Sequence, residues 1–289
     1  VLFSLAQISA LPHVVTERQL PRAYALDTTT EYMGTLLGPS LSALIIGLVP
    51  IVQLGAILAY LVDSGSYLLS VFSLLLIRTS FQSERTDQSA RPRLYREIAA
   101  GLRFLWQQRP LRFMALLTAL VNFLQSPFDL VLIVLAQSRL HLSVQVIGFV
   151  LSAGGVGGIL GGILAPWLRE RLRCGQIMLG ALIVWSGALI MLALAPSMPV
   201  VVVGKFLLSF TWPSYAVAVV SYRLQHTPDH LQGRVNSAFR NLSYGSEPLG
   251  SALGGLLLVA IGAQAVIGCM AAGLLACILL ALLTGLRKV

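Results

Sequence analysis

The chain has 289 residues, of which 56% are hydrophobic and only 11% are charged, and its formal net charge is +9. An ordinary soluble domain is about a quarter charged, and a chain of this length cannot bury so much apolar surface in a water-soluble fold. The composition therefore excludes a soluble globular protein and predicts a membrane protein.

Apolar segments of one characteristic length recur along the whole chain. A transmembrane helix needs about 20 apolar residues to cross a hydrocarbon core about 30 Å thick. About eight segments have this length, at 25–47, 54–77, 112–136, 144–167, 175–195, 199–221, 238–260 and 264–286. The sequence thus predicts an all-α polytopic membrane protein. The apolar stub at 1–12 is too short to span, and we interpret it as the end of a helix whose beginning is missing.

One long polar segment, residues 78–111, divides the chain. Its second half carries apolar residues at helical spacing, namely Tyr95, Ile98, Leu102 and Leu105. Such an amphipathic helix fits the surface of the anionic cytoplasmic leaflet; a solvated linker helix with no further role is the alternative. We expect 1–77 to be the remainder of an N-terminal helix bundle, 78–111 a cytoplasmic linker, and 112–289 a C-terminal six-helix bundle.

The lysines and arginines, 20 in total, fall almost entirely in alternate loops. The opposite loops hold only Arg139, and Lys205 lies within a predicted span. Because basic loops stay in the cytoplasm, this asymmetry predicts a multi-pass membrane protein with its C-terminus in the cytoplasm. The high net charge thus reports topology, and no aromatic-interleaved basic patch indicates nucleic-acid binding.

The first predicted span carries a Gly-Pro pair in its middle, within MGTLLGPSLSALIIG at 33–47. Small residues along this span resemble the fifth-helix antiporter motif of the major facilitator superfamily, at Ala25, Gly34, Gly38, Pro39, Ser42 and Ala43. The motif has glycine at three positions where this chain has Ala25, Ser42 and Ala43. LQGRVNSAFRNLSYGSEPLGSALGGLL resembles the eleventh helix of the branch that contains the enterobactin exporter and macrolide efflux pumps, and REIAAGLRFLWQQRPLR resembles its central loop.

This resemblance implies the major facilitator fold, with about eight full helices and a partial N-terminal one equivalent to helices 4–12 of twelve. It also implies a basic cytoplasmic loop motif, for which this chain offers Gly233, Arg234, Arg169, Arg171 and Arg173. Pro166-Trp167 stands about where that motif has aspartate. The implied function is secondary active transport by alternating access in a bacterial inner membrane, as proton-coupled export of a drug-like or siderophore-like molecule. The alternative is a truncated, transport-incompetent membrane fragment that packs with another membrane protein.

Ionisable residues within predicted spans are candidates for function, since a charge at the bilayer centre costs about 2.5–3.5 kcal/mol on insertion scales. The acidic ones are Asp27, Glu31, Asp63, Asp129 and Glu247. Depth and the resemblance favour proton-coupling or substrate roles for Glu247, Glu31, Asp129, Lys205 and Asn122. For Glu247 and Glu31 a hydrogen-bonded structural role is the competing interpretation. Lys205 could pair with a carboxylate or contact an anionic substrate.

Signatures of catalysis are missing from the sequence. His226 and His230 are four apart, but Pro228 lies between them and no glutamate follows His226, which argues against a zinc site. No Walker-type Gly-Lys motif occurs, so an ion gradient is the expected energy source. We expect no enzyme activity, cofactor or metal; the expected partners are a small amphipathic substrate, protons and the lipid bilayer.

Overall fold

The computed structural model of the chain describes residues 52–76, 94–194 and 197–284, together with the single positions Ser42, Ile45 and Val49. Every regular element within these residues is an α-helix. The helices are α1 (Val52–Leu75), α2 (Leu94–Gln107), α3 (Arg109–Gln125), α4 (Phe128–Ser138), α5 (Val144–Arg171), α6 (Cys174–Leu194), α7 (Met198–Gln225), α8 (Asp229–Tyr244), α9 (Glu247–Ile261) and α10 (Ala263–Leu283).

Seven stretches of the described residues are long and apolar enough to cross a membrane. They are Gln53–Leu75, Arg109–Ser138, Val144–Arg171, Cys174–Leu194, Met198–Gln225, Leu231–Ile261 and Ala263–Leu283. Each overlaps one of the predicted spans, and the remaining predicted span, 25–47, lies outside the described residues. The prediction of an all-α polytopic membrane protein is confirmed.

Two of these spans are broken near their middle. The first consists of α3 and α4 and is interrupted at Ser126-Pro127, and the second consists of α8 and α9 and is interrupted at Gly245-Ser246. Proline lacks the N–H that a continuous helix needs and clashes with the preceding turn, which explains the first break. Irregular backbone at membrane depth is tolerated where it is covered by protein, and α9 packs against α3 and α4 in this way.

The closest helix pair is α5 with α7, which share the most extensive contact in the described residues. The segment SAGGVGGILGGILAP, 152–166, predicts close packing through Gly154, Gly158 and Gly162 at four-residue spacing. In the structure Gly154, Gly157 and Gly161 lie against α7. A Cβ at Gly157 would lie 2.5 Å from the Phe206 carbonyl oxygen, and one at Gly161 would collide with the carbonyl of Phe210. Only glycine allows the two backbones to approach this closely.

An aromatic cluster fills the space between α6 and α7. The Trp185 ring lies 5.7 Å from that of Trp212 and 5.2 Å from that of Tyr215, centroid to centroid. The indole Nε1 of Trp185 donates to the Leu208 carbonyl at 3.1 Å, and the Tyr215 hydroxyl lies 2.9 Å from Thr118 Oγ1. Since Trp185 and Tyr215 are fully buried with their polar atoms hydrogen-bonded, this cluster fixes the position of α7 in the bundle.

Helices α2 and α1 differ in how they contact the other described helices. The amphipathic helix predicted in the second half of the polar segment 78–111 is present as α2, and it packs against α8 and α3. Leu105 is fully buried and Gly101 lies against the backbone of Arg234, whereas Leu102 is exposed. By contrast, α1 exposes most of its apolar side chains and makes no extensive contact with the other described helices.

Candidate functional site

An open cleft of about 470 Å³ lies where α4, α5 and α7 meet, beside the α3–α4 break. Its lining is formed by Gln125, Ser126, Phe128, Asp129, Gly154, Gly158, Lys205, Leu208, Ser209, Trp212 and Tyr244. Clefts that bind small molecules typically enclose about 300–1,000 Å³ and combine apolar walls with a few polar groups. The cleft has the size and composition of a small-molecule site.

The cleft contains an ion pair between two predicted site residues. Lys205 Nζ, on α7, donates to Asp129 Oδ1, in the first turn of α4, at 2.5 Å. The lysine side chain is 13% exposed and the aspartate side chain 60% exposed. A charge in a membrane span is expensive unless it is paired or hydrated, and this pair meets that requirement for both residues. The structure therefore brings together Asp129 and Lys205, which sequence reasoning had left as separate candidates.

A glycine on α5 makes room for this lysine. A Cβ at Gly154 would lie 2.6 Å from Lys205 Cε and 2.9 Å from Ser209 Oγ. The lysine stem therefore runs through space that any larger residue at this position would occupy. The close α5–α7 contact thus confines the lysine chain on its way to Asp129.

Aromatic side chains border the ion pair. The Phe128 ring centroid is 5.8 Å from Lys205 Nζ, within the range of a cation–π contact. Trp212 stacks on Tyr215 at 5.9 Å, so its position in the cleft is set by the buried aromatic cluster. Tyr244 is 48% exposed at the end of α8. The wall therefore offers ring faces to a ligand next to a carboxylate and an ammonium group.

Side-chain hydrogen bonds join the break in the α8–α9 span to α3. Asn122 Nδ2 donates to the Ser243 carbonyl at 3.0 Å, and Ser246 Oγ lies 2.7 Å from the carbonyl oxygens of both Ala119 and Ser243. Asn122 is only 4% exposed and is not part of the cleft lining. In this structure it fastens the break in the α8–α9 span to α3.

Glu247 begins α9 directly after the second break. Its side chain is half-buried and has no hydrogen-bond or ion-pair partner among the described residues. A carboxylate in the first turn of a helix interacts favourably with the exposed N–H groups there, which explains how the helix accommodates it. Glu247 does not line the cleft, so the structure separates it from the Lys205–Asp129 pair.

Several predicted residues are not available for comparison. Glu31 and most of the proposed antiporter motif lie outside the described residues, namely Ala25, Gly34, Gly38, Pro39 and Ala43. Ser42 is an exposed helical residue. Asp63, on α1, is exposed, and its backbone carbonyl accepts a hydrogen bond from Ser66 Oγ at 2.7 Å.

The predicted cytoplasmic loop motif is spread over two regions. Arg169 Nη2 donates to Gln225 Oε1 at 3.4 Å, and the Arg171 guanidinium lies 4.5 Å from the Trp167 ring centroid. The backbone N–H of Arg173 donates to the Gln176 side chain. Gly233 and Arg234 lie on α8, where the Arg234 backbone contacts Gly101 of α2. A Cβ at Gly233 would meet open space.

Sequence reasoning did not assign a role to Arg223, which is only 6% exposed near the end of α7. Its Nη2 donates to Asn236 Oδ1 at 2.8 Å, and its guanidinium lies 4.5 Å from the Phe239 ring centroid. The i, i+3 spacing of Asn236 and Phe239 on α8 was the available signal, because it puts an acceptor and a ring on one helix face. Ser126, Ser209 and Tyr244 were also not singled out as cleft residues.

The chain was compared with known proteins. Residues 4–289 match the family described as transmembrane secretion effector of the major facilitator superfamily. The chain is 27% identical to the multidrug efflux pump Tap of Mycolicibacterium fortuitum, covering 81% of this chain and 56% of that protein. It is 25% identical to the enterobactin exporter EntS of Escherichia coli O1:K1 / APEC, covering 87% and 58%. The chain therefore spans somewhat more than half the length of these curated relatives.

A solved structure of a bacterial metal transporter shares the fold, with a TM-score of 0.67 and 16% identity over 94% of this chain and 68% of that chain. This likeness bears on architecture alone. Among the described residues, no group of three or more His, Cys, Asp or Glu side chains is placed to hold a metal ion. The match over nearly the whole sequence establishes that the chain belongs to the transmembrane secretion effector family of the major facilitator superfamily.

Proposed function

We propose that the protein is the major part of a proton-coupled exporter of a small amphipathic molecule, acting by alternating access in a bacterial inner membrane with its C-terminus in the cytoplasm. The efflux activity named for the two relatives supports export. We propose a transport role without catalysis, in which the substrate, protons and the lipid bilayer are the partners.

The observation that carries this proposal is the Lys205–Asp129 pair in the wall of the cleft. Lys205 lies seven residues into α7, about 10 Å from its start at ~1.5 Å per residue. An ion pair at this depth, with one partner open to a small-molecule-sized cleft, is a feature expected of a substrate pathway. Packing alone does not require that the carboxylate face the cleft.

Alternating access would use the two broken spans. Transporter sites are often formed by discontinuous helices near the membrane midplane, and the two broken spans pack against each other, with Ser246 Oγ hydrogen-bonded to the Ala119 carbonyl of α3. We propose that residues 112–289 move as one bundle against the remainder at 1–77, with 78–111 as the linker. The small residues from Ala25 to Ala43 would form the seam between the bundles.

The proposed coupling carboxylates are Glu247 and Glu31. Glu247 supports this assignment because it is half-buried beside a helix break and has no partner within the described residues. A carboxylate there can accept a proton when the cavity faces the acidic side and release it when the cavity faces the other. Protonation of Glu247 would then change the charge of the hinge region as the bundles move.

Proton coupling can be tested in everted bacterial membrane vesicles. Respiration acidifies the vesicles and quenches acridine orange, and a compound exchanged for protons restores the fluorescence. We expect a panel of cationic, neutral and anionic lipophilic dyes to include compounds that do this only in vesicles containing the protein. Glu247→Gln and Glu31→Gln should abolish the response at equal protein level, whereas Glu170→Gln, an exposed acid at the end of α5, should retain it.

Two results would contradict the proposal in different ways. A panel that produces no proton release in any vesicle would count against proton-coupled export itself. Release that persists unchanged in both glutamine variants would leave export standing and remove these two residues as the coupling groups.

A further inference from the structure

We propose that the Asp129 carboxylate is the binding point for an organic cation with an aromatic or aliphatic body, and that Lys205 occupies this point while the cleft is empty. The inference rests on the proposed export function and names its substrate class. Lys205 would thus act as an internal substitute for the ligand's cationic group.

The unequal burial of the two partners is the first argument. The Lys205 side chain is 13% exposed and the Asp129 side chain 60% exposed. The lysine therefore reaches the carboxylate from inside the bundle, along the space left by Gly154 and Ser209. A molecule that enters the cleft meets the negative partner before the positive one.

The free oxygen of the carboxylate is the second argument. Lys205 Nζ donates to Oδ1, and no described residue donates to Oδ2 of Asp129. A carboxylate has acceptor capacity on both oxygens, so one side of Asp129 stays available to an incoming donor. Within the described lining of the cleft, Asp129 and Lys205 are the only charged side chains.

The ring faces beside the pair are the third argument. Phe128 already lies 5.8 Å from an ammonium group, and Trp212 and Tyr244 line the same cleft. The negative face of an aromatic ring attracts cations and disfavours anions. An anionic ligand would gain nothing from these rings and would have to pass Asp129 to reach Lys205.

Exchange of one cation for another also suits a reversible transport cycle. When a ligand cation binds Asp129, the carboxylate remains paired, and the unpaired positive charge passes to the displaced Lys205, which opposes tight binding of the ligand. The displaced Lys205 ammonium can turn toward the Phe128 ring or toward Ser209. The ligand's affinity is then reduced by competition with Lys205, which favours release on the far side of the membrane.

Two probes of equal size and shape and opposite charge test this inference. Binding of tetraphenylphosphonium and tetraphenylborate to the purified full chain in detergent is measured by equilibrium dialysis. We expect the unmodified protein to bind tetraphenylphosphonium more tightly than tetraphenylborate. The affinity for tetraphenylphosphonium should fall at least about tenfold in Asp129→Asn and rise about threefold or more in Lys205→Gln. Asp129→Glu should retain binding, and Arg139→Gln, a basic residue outside this cleft, should change nothing.

The direction in which Lys205→Gln changes the affinity for tetraphenylphosphonium decides whether Lys205 competes with the ligand. Tighter tetraphenylphosphonium binding supports competition, whereas weaker or unchanged binding overturns it. A preference for tetraphenylborate that is lost in Lys205→Gln would mean that the cleft recognises anions, and failure of both probes to bind would also overturn the inference. If Asp129→Asn does not fold, the Lys205→Gln and Asp129→Glu results still decide. Proton-linked efflux of anionic dyes alone would reject the cation inference and leave the proposed export function intact.

Discussion

Helix α7 carries two cations that the protein handles in opposite ways. Lys205 and Arg223 are separated by about 27 Å along the helix, at ~1.5 Å per residue. Lys205 pairs with a carboxylate that is 60% exposed in the cleft. Arg223 is 6% exposed and is held by the neutral groups Asn236 and Phe239.

The difference separates an ion pair whose partners can be exchanged from a buried cation whose partners cannot. A ligand can reach Asp129 and alter its pairing with Lys205, because the carboxylate is open to the cleft. Nothing reaches the buried guanidinium of Arg223 without separating α7 from α8. We therefore propose a transport role for the Lys205–Asp129 pair and a structural role for Arg223, and the following variants test this distinction.

The largest effect is expected from Asp129→Asn. Neutralising Asp129 removes the proposed binding point and leaves Lys205 without its anion, so transport in vesicles should fall at least about tenfold, equivalent to about 1.4 kcal/mol. The matched control is Asp63→Asn, the same substitution in another span and outside the cleft. Equal transport by the Asp129 and Asp63 variants would show that the cleft carboxylate has no special role.

Arg223→Gln should act on stability instead. The substitution removes a cation–π contact and a charge-assisted hydrogen bond that is worth about 1.5–3 kcal/mol, so the midpoint of thermal unfolding in detergent should fall. Transport per folded molecule should change less than about twofold, since α7 still presents Lys205 to the cleft. Loss of transport with an unchanged unfolding midpoint would show that Arg223 takes part in transport and would contradict its structural role.

Gly154→Ala sharpens the comparison at Lys205. The added methyl would meet Lys205 Cε and Ser209 Oγ, and the flexible lysine end would move aside at a cost of about 1 kcal/mol or less. Transport should fall several-fold with little loss of stability. Gly180→Ala is the control, because a Cβ there meets nothing within 4 Å. Equal transport by the Gly154→Ala and Gly180→Ala variants would show that the space beside the Lys205 side chain does not affect transport.

The smallest effect is expected from Ser246→Ala, at the break in the α8–α9 span. It removes the side-chain contacts with Ala119 and Ser243, and a hydrogen bond typically contributes about 1 kcal/mol. The unfolding midpoint should fall slightly. If both side chains hold the same break in place, the combined Ser246→Ala and Asn122→Ala variant should lower the unfolding midpoint by more than the sum of the two single variants.

Hydropathy was sufficient to predict the seven spans found in the described residues, because a bilayer imposes a fixed length on any apolar helix. The helical amphipathic pattern likewise predicted α2. The register of the α5–α7 contact was not predictable, since Gly157 and Gly161 are selected by the crossing geometry of two helices and the glycine-rich run offers several equivalent faces.

The candidate site was predictable as a set of residues but not as an arrangement. Asp129 and Lys205 stood out because charges are rare in spans, yet they are 76 positions apart in sequence and only the packing of α4 beside α7 pairs them. Asn122 was expected in the cavity because the resemblance implies that its helix lines the cavity. The structure buries it against the Ser243 carbonyl, where an amide satisfies a backbone group freed by the helix break.

The central claim is that the Lys205–Asp129 pair acts through the position of its carboxylate and not merely through mutual neutralisation. The most direct test exchanges the partners in a Lys205→Asp, Asp129→Lys double variant and measures both thermal unfolding and proton-linked efflux. We predict an unfolding midpoint nearer to that of the unmodified protein than either single variant gives, together with loss of efflux. Recovery of efflux along with stability would show that the pair is only a structural link between α4 and α7.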